Sequence, residues 1–386
     1  MRTGLETREE LFAVMEQIAE ERETARPIVQ ELVASGRSID DIEIPEGWRT
    51  AGMVLELCET AGTLLESDPT LNLSLAHLAL TVSANVRDSY SGVVTGFSDF
   101  RCWREIALVH CQIGSYATSI NAHASAEKQC VNEPALAQDA AIARQCRGFV
   151  KTFLEEYEES TQLIEEAGTV LREFGDELRL AKGELVKGNM HLYCGEFELS
   201  RLKYESLSAI FQRYSDLHSL GVLYNNLGIA YAWLGRNSDA VMAFEHAREI
   251  FSDLEMPSEI DRADWGLATV LETTGECGKA ASLLKRLHGS FLKHQMPYQA
   301  GLIALHLADV LSADERRPEA RLALDEAIHD FQIAGADPQT IGRITRLRKL
   351  LPRSRRPQRA IKELRTDLKR YQPERGLTLN LDERDY

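Results

Sequence analysis

The chain has 386 residues, of which 44% are hydrophobic and only 7% aromatic, and it carries a formal net charge of −16. This length allows two or three ordinary domains or one extended array of repeats, while the charge excludes a surface that binds nucleic acid throughout. The charged N-terminus and the lack of a long apolar run lead us to expect neither a signal peptide nor a membrane span, and therefore a cytoplasmic protein.

Helix is the predicted secondary structure throughout. Leu, Ala and Glu are abundant, and no alternating Val/Ile/Thr-rich pattern indicates a sheet. The seven cysteines are scattered singly, without a CxxC pair or a Cys/His pair at zinc-ligand spacing. This distribution indicates a reducing compartment and predicts no metal site.

Residues 1–47 are predicted to form an N-terminal helical extension and a linker. One or two helices are expected, at about 7–24 and 26–35, and the acidic stretch IDDIEIPEG follows as the linker. In the next segment Asp68 precedes Pro69. Asp is a typical N-cap residue, and Pro is typical of the first position of a helix. We therefore predict a helix pair there, the first in an array that spans 48–335.

The middle of the chain repeats with a period of forty residues. The clearest unit is 221–256, and its skeleton recurs in five units of one register, with a sixth shifted by one residue. Its diagnostic residues are Tyr224, Leu227, Gly228, Tyr231, Gly235, Ala240, Phe244 and Ala247. The small residues allow two antiparallel helices to approach, and the large ones fill the space between them.

This pattern resembles the tetratricopeptide repeat (TPR), in a long form similar to that of bacterial regulators and signal sensors. The resemblance covers about 100–335 of the chain. It implies an all-α fold, a right-handed superhelical solenoid of antiparallel helix pairs, with about seven pairs in the array.

The resemblance also implies that the first helix of each pair lines a groove in which partners bind. The candidate partner-binding residues are Gln145, Phe149, Asn189, Tyr193, Asn225, Asn226, Trp233, Arg262 and Trp265. Asn189 and Asn226 fall where peptide-binding members place asparagines, whose amides match a peptide unit. Leu185 and Gly266 leave the carboxylate clamp incomplete. The alternative is that Asn225 and Asn226 are only polar residues on a solvated face or bond to the neighbouring helix. For the two tryptophans the alternative is packing between repeats, which is favoured more for Trp265 than for Trp233.

No pattern of catalytic residues emerges. His191 lies three residues before Cys194, without a third group to orient the pair. No histidine pair has the spacing of a zinc-binding helix, and glycine loops that bind phosphate are absent. We therefore expect a protein that is not an enzyme and that uses no cofactor or metal.

The C-terminal region, 336–386, is predicted to contain a capping helix, a basic helix and a tail. Asp337 and Pro338 begin the first helix, which reaches about Leu351, and the basic helix spans 357–371. The candidate contact residues of this basic segment are Arg346, Arg348, Lys349, Arg353, Arg355, Arg356 and Arg359.

The basic segment contrasts with the acidic remainder of the chain. Between Arg343 and Arg375 there are 13 Lys and Arg residues against three acids. The segment either folds back as a cap on the array or docks an acidic partner or nucleic acid. Because Tyr371 is its single aromatic residue, the segment has almost no aromatic side chain on which a base could stack. A contact with protein is therefore favoured over a contact with nucleic acid.

The favoured function is that of a scaffold or regulatory subunit that binds a partner protein or peptide in the groove. A second hypothesis is a peptide-responsive sensor of the bacterial quorum-sensing receptor type. Only about 47 residues precede the array, which is short for a helix-turn-helix effector domain and counts against this second hypothesis. A third is an adaptor that contacts nucleic acid through the basic segment.

Overall fold

The computed structural model describes residues 8–36, 39, 42–65, 67–86, 89–294, 296–351 and 357–370. These residues form 17 α-helices, two short 3-10 helices and no strand. The helices pack in consecutive antiparallel pairs, which confirms the all-α, TPR-like fold. No helix among them is both long enough and apolar enough to cross a lipid bilayer.

The helices before the regular array differ in length. They are α1 (Arg8–Ala34), α2 (Ala51–Thr63), α3 (Pro69–Ala84), α4 (Gly92–Gln112) and α5 (Tyr116–Cys130). The two 3-10 helices are Glu46–Trp48 and Pro134–Leu136. Within the N-terminal extension, α1 is one continuous helix that contains Pro27. Asp68 caps α3 as predicted, because its carboxylate accepts a hydrogen bond of 3.0 Å from the Leu71 amide.

Ten helices of 17 residues follow, each starting 20 residues after the one before. They are α6 (Ala137–Phe153), α7 (Tyr157–Glu173), α8 (Glu177–Tyr193), α9 (Phe197–Arg213), α10 (Leu217–Trp233), α11 (Asn237–Asp253), α12 (Pro257–Thr273), α13 (Cys277–Lys293), α14 (Pro297–Ala313) and α15 (Arg317–Ile333). We call the even-numbered members A helices and the odd-numbered members B helices. The forty-residue period of the sequence is therefore one A helix, one B helix and two turns of three residues.

The turns share one conformational requirement. Wherever the structure describes the middle residue of these turns, that residue has a positive φ, and it is glycine at five of them: Gly175, Gly195, Gly235, Gly275 and Gly335. Glu155, Ser215, Glu255 and Glu315 adopt the same conformation at four other turns. A residue in the left-handed conformation lets the backbone amides that follow a helix donate hydrogen bonds to its last carbonyl groups. These hydrogen bonds offset the strain that a side chain causes in that conformation.

Two helices follow the array. Asp337 caps α16 (Pro338–Leu350) by accepting a 2.9 Å hydrogen bond from the Thr340 amide, and α17 spans Pro357–Arg370. Both predicted C-terminal helices are therefore confirmed.

The chain divides into two compact units within α8. Unit 1 holds the described residues up to Val186, and unit 2 those from Lys187 onward. In unit 2 the aromatic residues Phe211, Phe251, Phe291 and Phe331 occupy one register position of successive B helices, and all are at most 2% exposed. This repeated phenylalanine forms much of the core against which the A helices pack.

Candidate partner-binding surfaces

The three asparagines predicted to bind a peptide are buried in unit 2. Asn189, Asn225 and Asn226 are 3%, 8% and 7% exposed. The Oδ1 atom of Asn189 accepts hydrogen bonds from the Tyr204 hydroxyl at 2.7 Å and from the Asn226 Nδ2 at 2.9 Å. Asn225 donates its own Nδ2 to the Asn226 Oδ1 at 3.3 Å.

These contacts correspond to the alternative that the sequence left open, in which the asparagines bond to neighbouring helices. Tyr204 belongs to α9 and is 0% exposed, while Asn189 and Asn226 belong to α8 and α10. The network therefore satisfies polar groups that would otherwise lie unpaired in the core. It fixes three helices relative to one another, and little of its hydrogen-bonding capacity faces solvent.

The predicted residues of unit 1, Gln145 and Phe149, are also buried. Gln145 donates its Nε2 to the Arg179 carbonyl oxygen at 2.8 Å, and Phe149 packs edge-to-face on Phe153 at 4.9 Å. A third side chain of unit 1, that of His123, is buried as well. Burial together with the charges of Arg104 and Arg147 lowers the pKa of His123 to about 3, so this histidine is neutral at physiological pH. We interpret these residues as interior packing.

Two exposed aromatic residues, Tyr193 and Trp233, and the half-buried Phe197 form what we call the aromatic edge of unit 2. Trp233 is 67% exposed, and its ring lies flat on Phe197, with ring centroids 5.2 Å apart and an interplanar angle of 1°. Tyr193, 36% exposed, ends α8 just before the turn that leads to Phe197. An exposed tryptophan held in one orientation by a second ring is a typical anchor for a partner.

The other two candidates of unit 2 are engaged by neighbours. Trp265 donates its Nε1 to the His306 Nδ1 at 2.9 Å, and its ring meets Phe291 edge-to-face at 6.4 Å. It therefore packs between repeats, as the alternative for this residue expected. Arg262 is paired with Glu259 at 2.9 Å, and its side chain is 21% exposed.

An acidic cluster that the sequence reasoning missed lies beside Trp265. The His306 Nε2 donates to the Glu272 Oε2 at 2.7 Å, and Asp309 lies one turn further along α14. The Arg365 guanidinium of α17 lies 3.4 Å from Glu272 and 3.5 Å from Asp309. One signal was available in the sequence: Asp309 lies forty residues after Thr269, a position that faces the groove in the repeat register.

The two carboxylates of the acidic cluster have opposite electrostatic environments. Burial raises the pKa of Asp309 to about 6, against the opposing charge of Arg365. Burial by itself would also raise the pKa of Glu272, but the hydrogen bond from His306 and the Arg365 charge lower it to about 2. Glu272 is therefore ionised throughout the physiological range, whereas Asp309 exchanges its proton near neutral pH.

Asp309→Asn is expected to weaken the pH dependence of stability. Because the pKa of Asp309 is higher in the folded chain, the stabilisation is present below the unfolded pKa and is lost as the pH rises through about 6. Between about pH 5 and pH 7.5 the wild type should lose about 1 kcal/mol more unfolding free energy than the variant. Urea unfolding of both chains at both pH values measures this difference, and parallel losses would contradict the assignment.

The basic segment folds back on unit 2 over its described part. Arg346 and Lys349 are exposed on α16, Arg348 pairs with Asp325, and Arg359 pairs with Glu363 at 2.8 Å. Three further candidates, Arg353, Arg355 and Arg356, lie outside the described residues. Because α17 packs against α14, the structure shows the internal contact that the sequence had left as one of two alternatives.

Comparison with known proteins shows the fold. No family model matches the chain, and no curated protein matches it significantly in sequence. A Rap protein complexed with competence and sporulation factor matches over 92% of this chain and 99% of its own, with a TM-score of 0.52 and 12% identity. NprR in complex with its cognate peptide NprX matches over 89% and 98%, with a TM-score of 0.53 and 12% identity.

A third solved structure, aspartyl phosphate phosphatase F from Bacillus subtilis, matches over 85% of both chains, with a TM-score of 0.51 and 12% identity. At these identities the similarity concerns the arrangement of helices. The chain is a TPR-like helical repeat protein, as the sequence predicted.

Proposed function

We propose that this TPR-like repeat protein is a non-catalytic interaction scaffold or regulatory subunit, and that a partner protein binds it at the aromatic edge of unit 2. The observation that carries the proposal is the exposure of Trp233, which is 67% accessible although its ring is already ordered by Phe197. A large apolar ring that stays in water contributes little to the stability of a monomeric protein. A partner that binds this ring buries apolar surface, and little side-chain entropy is lost because the ring is already ordered.

Other exposed or partly exposed residues of α9 and α10 and of the turn after α10 are of the kinds found at protein interfaces. Leu199 and Leu202, each 51% exposed, lie three residues apart on α9. The Arg236 guanidinium lies 4.5 Å from the centroid of the Tyr231 ring and pairs with Asp239 at 2.7 Å. Exposed apolar side chains and charged groups of this kind make up the core and the polar rim of protein interfaces.

Trp233→Ala is expected to weaken partner binding at least about tenfold, because truncation of a central aromatic anchor has effects of this size. The tagged chain is expressed in its native host, and the proteins that co-purify at physiological salt are identified and quantified by mass spectrometry. The variant should keep its helicity, because most of the ring lies in water, and should lose the main partner.

Leu322→Ala is the matched control. Leu322 is 63% exposed on the B helix α15, so its truncation removes a similarly accessible apolar group elsewhere in unit 2. If Trp233→Ala and Leu322→Ala retain the same partners in the same amounts as the wild type, the aromatic edge is not the binding surface.

A second candidate function is a sensor that responds to a short peptide. It is favoured by the similarity over almost the whole chain to two proteins whose structures contain competence and sporulation factor and the peptide NprX. The same purification distinguishes the two functions when the eluate is also analysed for peptides. Recovery of one short peptide in stoichiometric amount, without a protein partner, would favour the sensor.

A further inference from the structure

The basic helix α17 covers α14 with one apolar face. Ile361, Leu364 and Leu368 are at most 4% exposed and belong to the same core as α13, α14 and α15. Their spacing of three and four residues places them on one side of the helix. On the other side, Arg359 is 84% exposed and pairs with Glu363 within α17.

The coverage explains an unusual feature of α14. This A helix is buried from Gln299 to Ser312, although it carries His306 and Asp309 at positions that face the groove in the repeat register. In the preceding A helix, α12, the groove residues Arg262 and Thr269 remain partly exposed. The α17 helix therefore occupies a polar face that the repeat pattern would otherwise leave open.

The acidic cluster under α17 is organised by α12 and α14 themselves. Trp265 donates to the Nδ1 of His306 at 2.9 Å, so His306 accepts at that nitrogen and donates its Nε2 proton to Glu272 at 2.7 Å. These are distances of well-formed hydrogen bonds. The cluster is therefore positioned to receive a cation without any contribution from α17.

The contacts of α17 with this cluster are longer. Arg365 approaches Glu272 at 3.4 Å and Asp309 at 3.5 Å, and Tyr298 donates to the Leu368 carbonyl oxygen at 3.5 Å. Charge-assisted hydrogen bonds between Arg and carboxylate are normally about 2.7–2.9 Å long. The site is thus well formed, while its present occupant meets it at the outer limit of hydrogen bonding.

We propose that the face of α12 and α14 around Glu272, His306 and Asp309 is a binding site for a basic amphipathic helix, which α17 occupies in the isolated chain and which a helix of a partner protein occupies by displacing it. The ligand needs apolar residues at i, i+3 and i+7, as Ile361, Leu364 and Leu368 provide, and an arginine at i+4, as Arg365 provides. The two carboxylates, Asp309 buried and Glu272 half-buried, require that cation, since an occupant without it would leave them uncompensated. This site is separate from the aromatic edge.

The test uses full-length chains and a labelled synthetic peptide with the sequence of residues 357–370. Arg365→Glu places a carboxylate against Glu272 and Asp309, and it should release α17 while leaving its apolar face intact. Fluorescence anisotropy should then show that the peptide binds this variant at least about tenfold more tightly than the wild type, because a tethered competitor acts at a high effective concentration.

Arg359→Glu is the matched control, because it makes the same charge change on the exposed side of α17. It should bind the peptide no better than the wild type. Adding Glu272→Gln and Asp309→Asn to the Arg365→Glu chain should abolish the gain. Equal peptide affinity in the wild type, Arg365→Glu and Arg359→Glu would overturn the proposal, and so would global unfolding of Arg365→Glu, since a displaceable helix is not required for the fold.

Hydrogen exchange on the unmodified chain provides an independent measurement. If α17 leaves its site while the array stays folded, its amides should exchange at least about tenfold faster than those of α14 under conditions in which exchange reports opening. Equal protection of α14 and α17 would show that the helix opens only with unit 2 as a whole, and would overturn the proposal. Neither outcome bears on partner capture through Trp233.

Discussion

Gly228→Leu is expected to destabilise unit 2 by about 3 kcal/mol, because it overpacks a crossing of three helices. A Cβ atom at Gly228 would lie 2.8 Å from the Phe244 ring, and one at Gly266 would lie 2.3 Å from the same ring. Phe244 is 1% exposed on α11 and fills the space that these two glycines of α10 and α12 leave. Both glycines are therefore packing residues.

Urea unfolding followed by circular dichroism measures the effect, and Gly289→Leu is the control. Gly289 is an exposed residue within α13, and a Cβ there would meet nothing within 4 Å. That variant should be neutral or gain about 0.5 kcal/mol, since leucine has the higher helix propensity. Equal midpoints for Gly228→Leu and Gly289→Leu would show that the repeat register places Gly228 wrongly.

Asn189→Leu is expected to cost about 3 kcal/mol of stability, because it removes the acceptor of two buried donors. The Tyr204 hydroxyl and the Asn226 Nδ2 both bond to the Asn189 Oδ1, at 2.7 Å and 2.9 Å. Each donor left unpaired in the core costs about 1–3 kcal/mol. An alanine variant of Asn189, Asn226 and Arg262 is therefore expected to lose stability, whereas residues on the inner surface of a groove would affect binding alone.

A double-mutant cycle separates this effect from simple loss of packing. Adding Tyr204→Phe to Asn189→Leu removes one of the orphaned donors, so the double variant should be less destabilised than the sum of the two single variants. Thermal and urea unfolding provide the values. If Asn189→Leu keeps its full stability and loses the partner, the asparagines act as binding residues instead.

Most of the local architecture was predictable because its causes are local. The forty-residue spacing of small and large residues predicted the helix pairs, since packing of adjacent helices repeats the same contacts at the same intervals. Asp68 and Asp337 marked helix starts because an N-cap acts on amides only a few residues away. The continuous helix through Pro27 was within the range of the prediction, which allowed one helix or two.

The roles of individual groove residues depended on partners distant in the sequence. The Asn189 side chain accepts hydrogen bonds from Tyr204 and Asn226, which lie 15 and 37 residues away in the sequence. Arg365 contacts Glu272, which lies 93 residues away. The repeat register predicts which side of a helix a residue occupies. It does not predict which side chain of another helix contacts that residue. By itself, the sequence determined the helix pairs, their caps and the close crossing at Gly228. Only the tertiary structure decided that the asparagines are interior, that Trp233 is open to solvent and that α17 covers the acidic cluster, because burial and hydrogen bonding depend on what packs against each position.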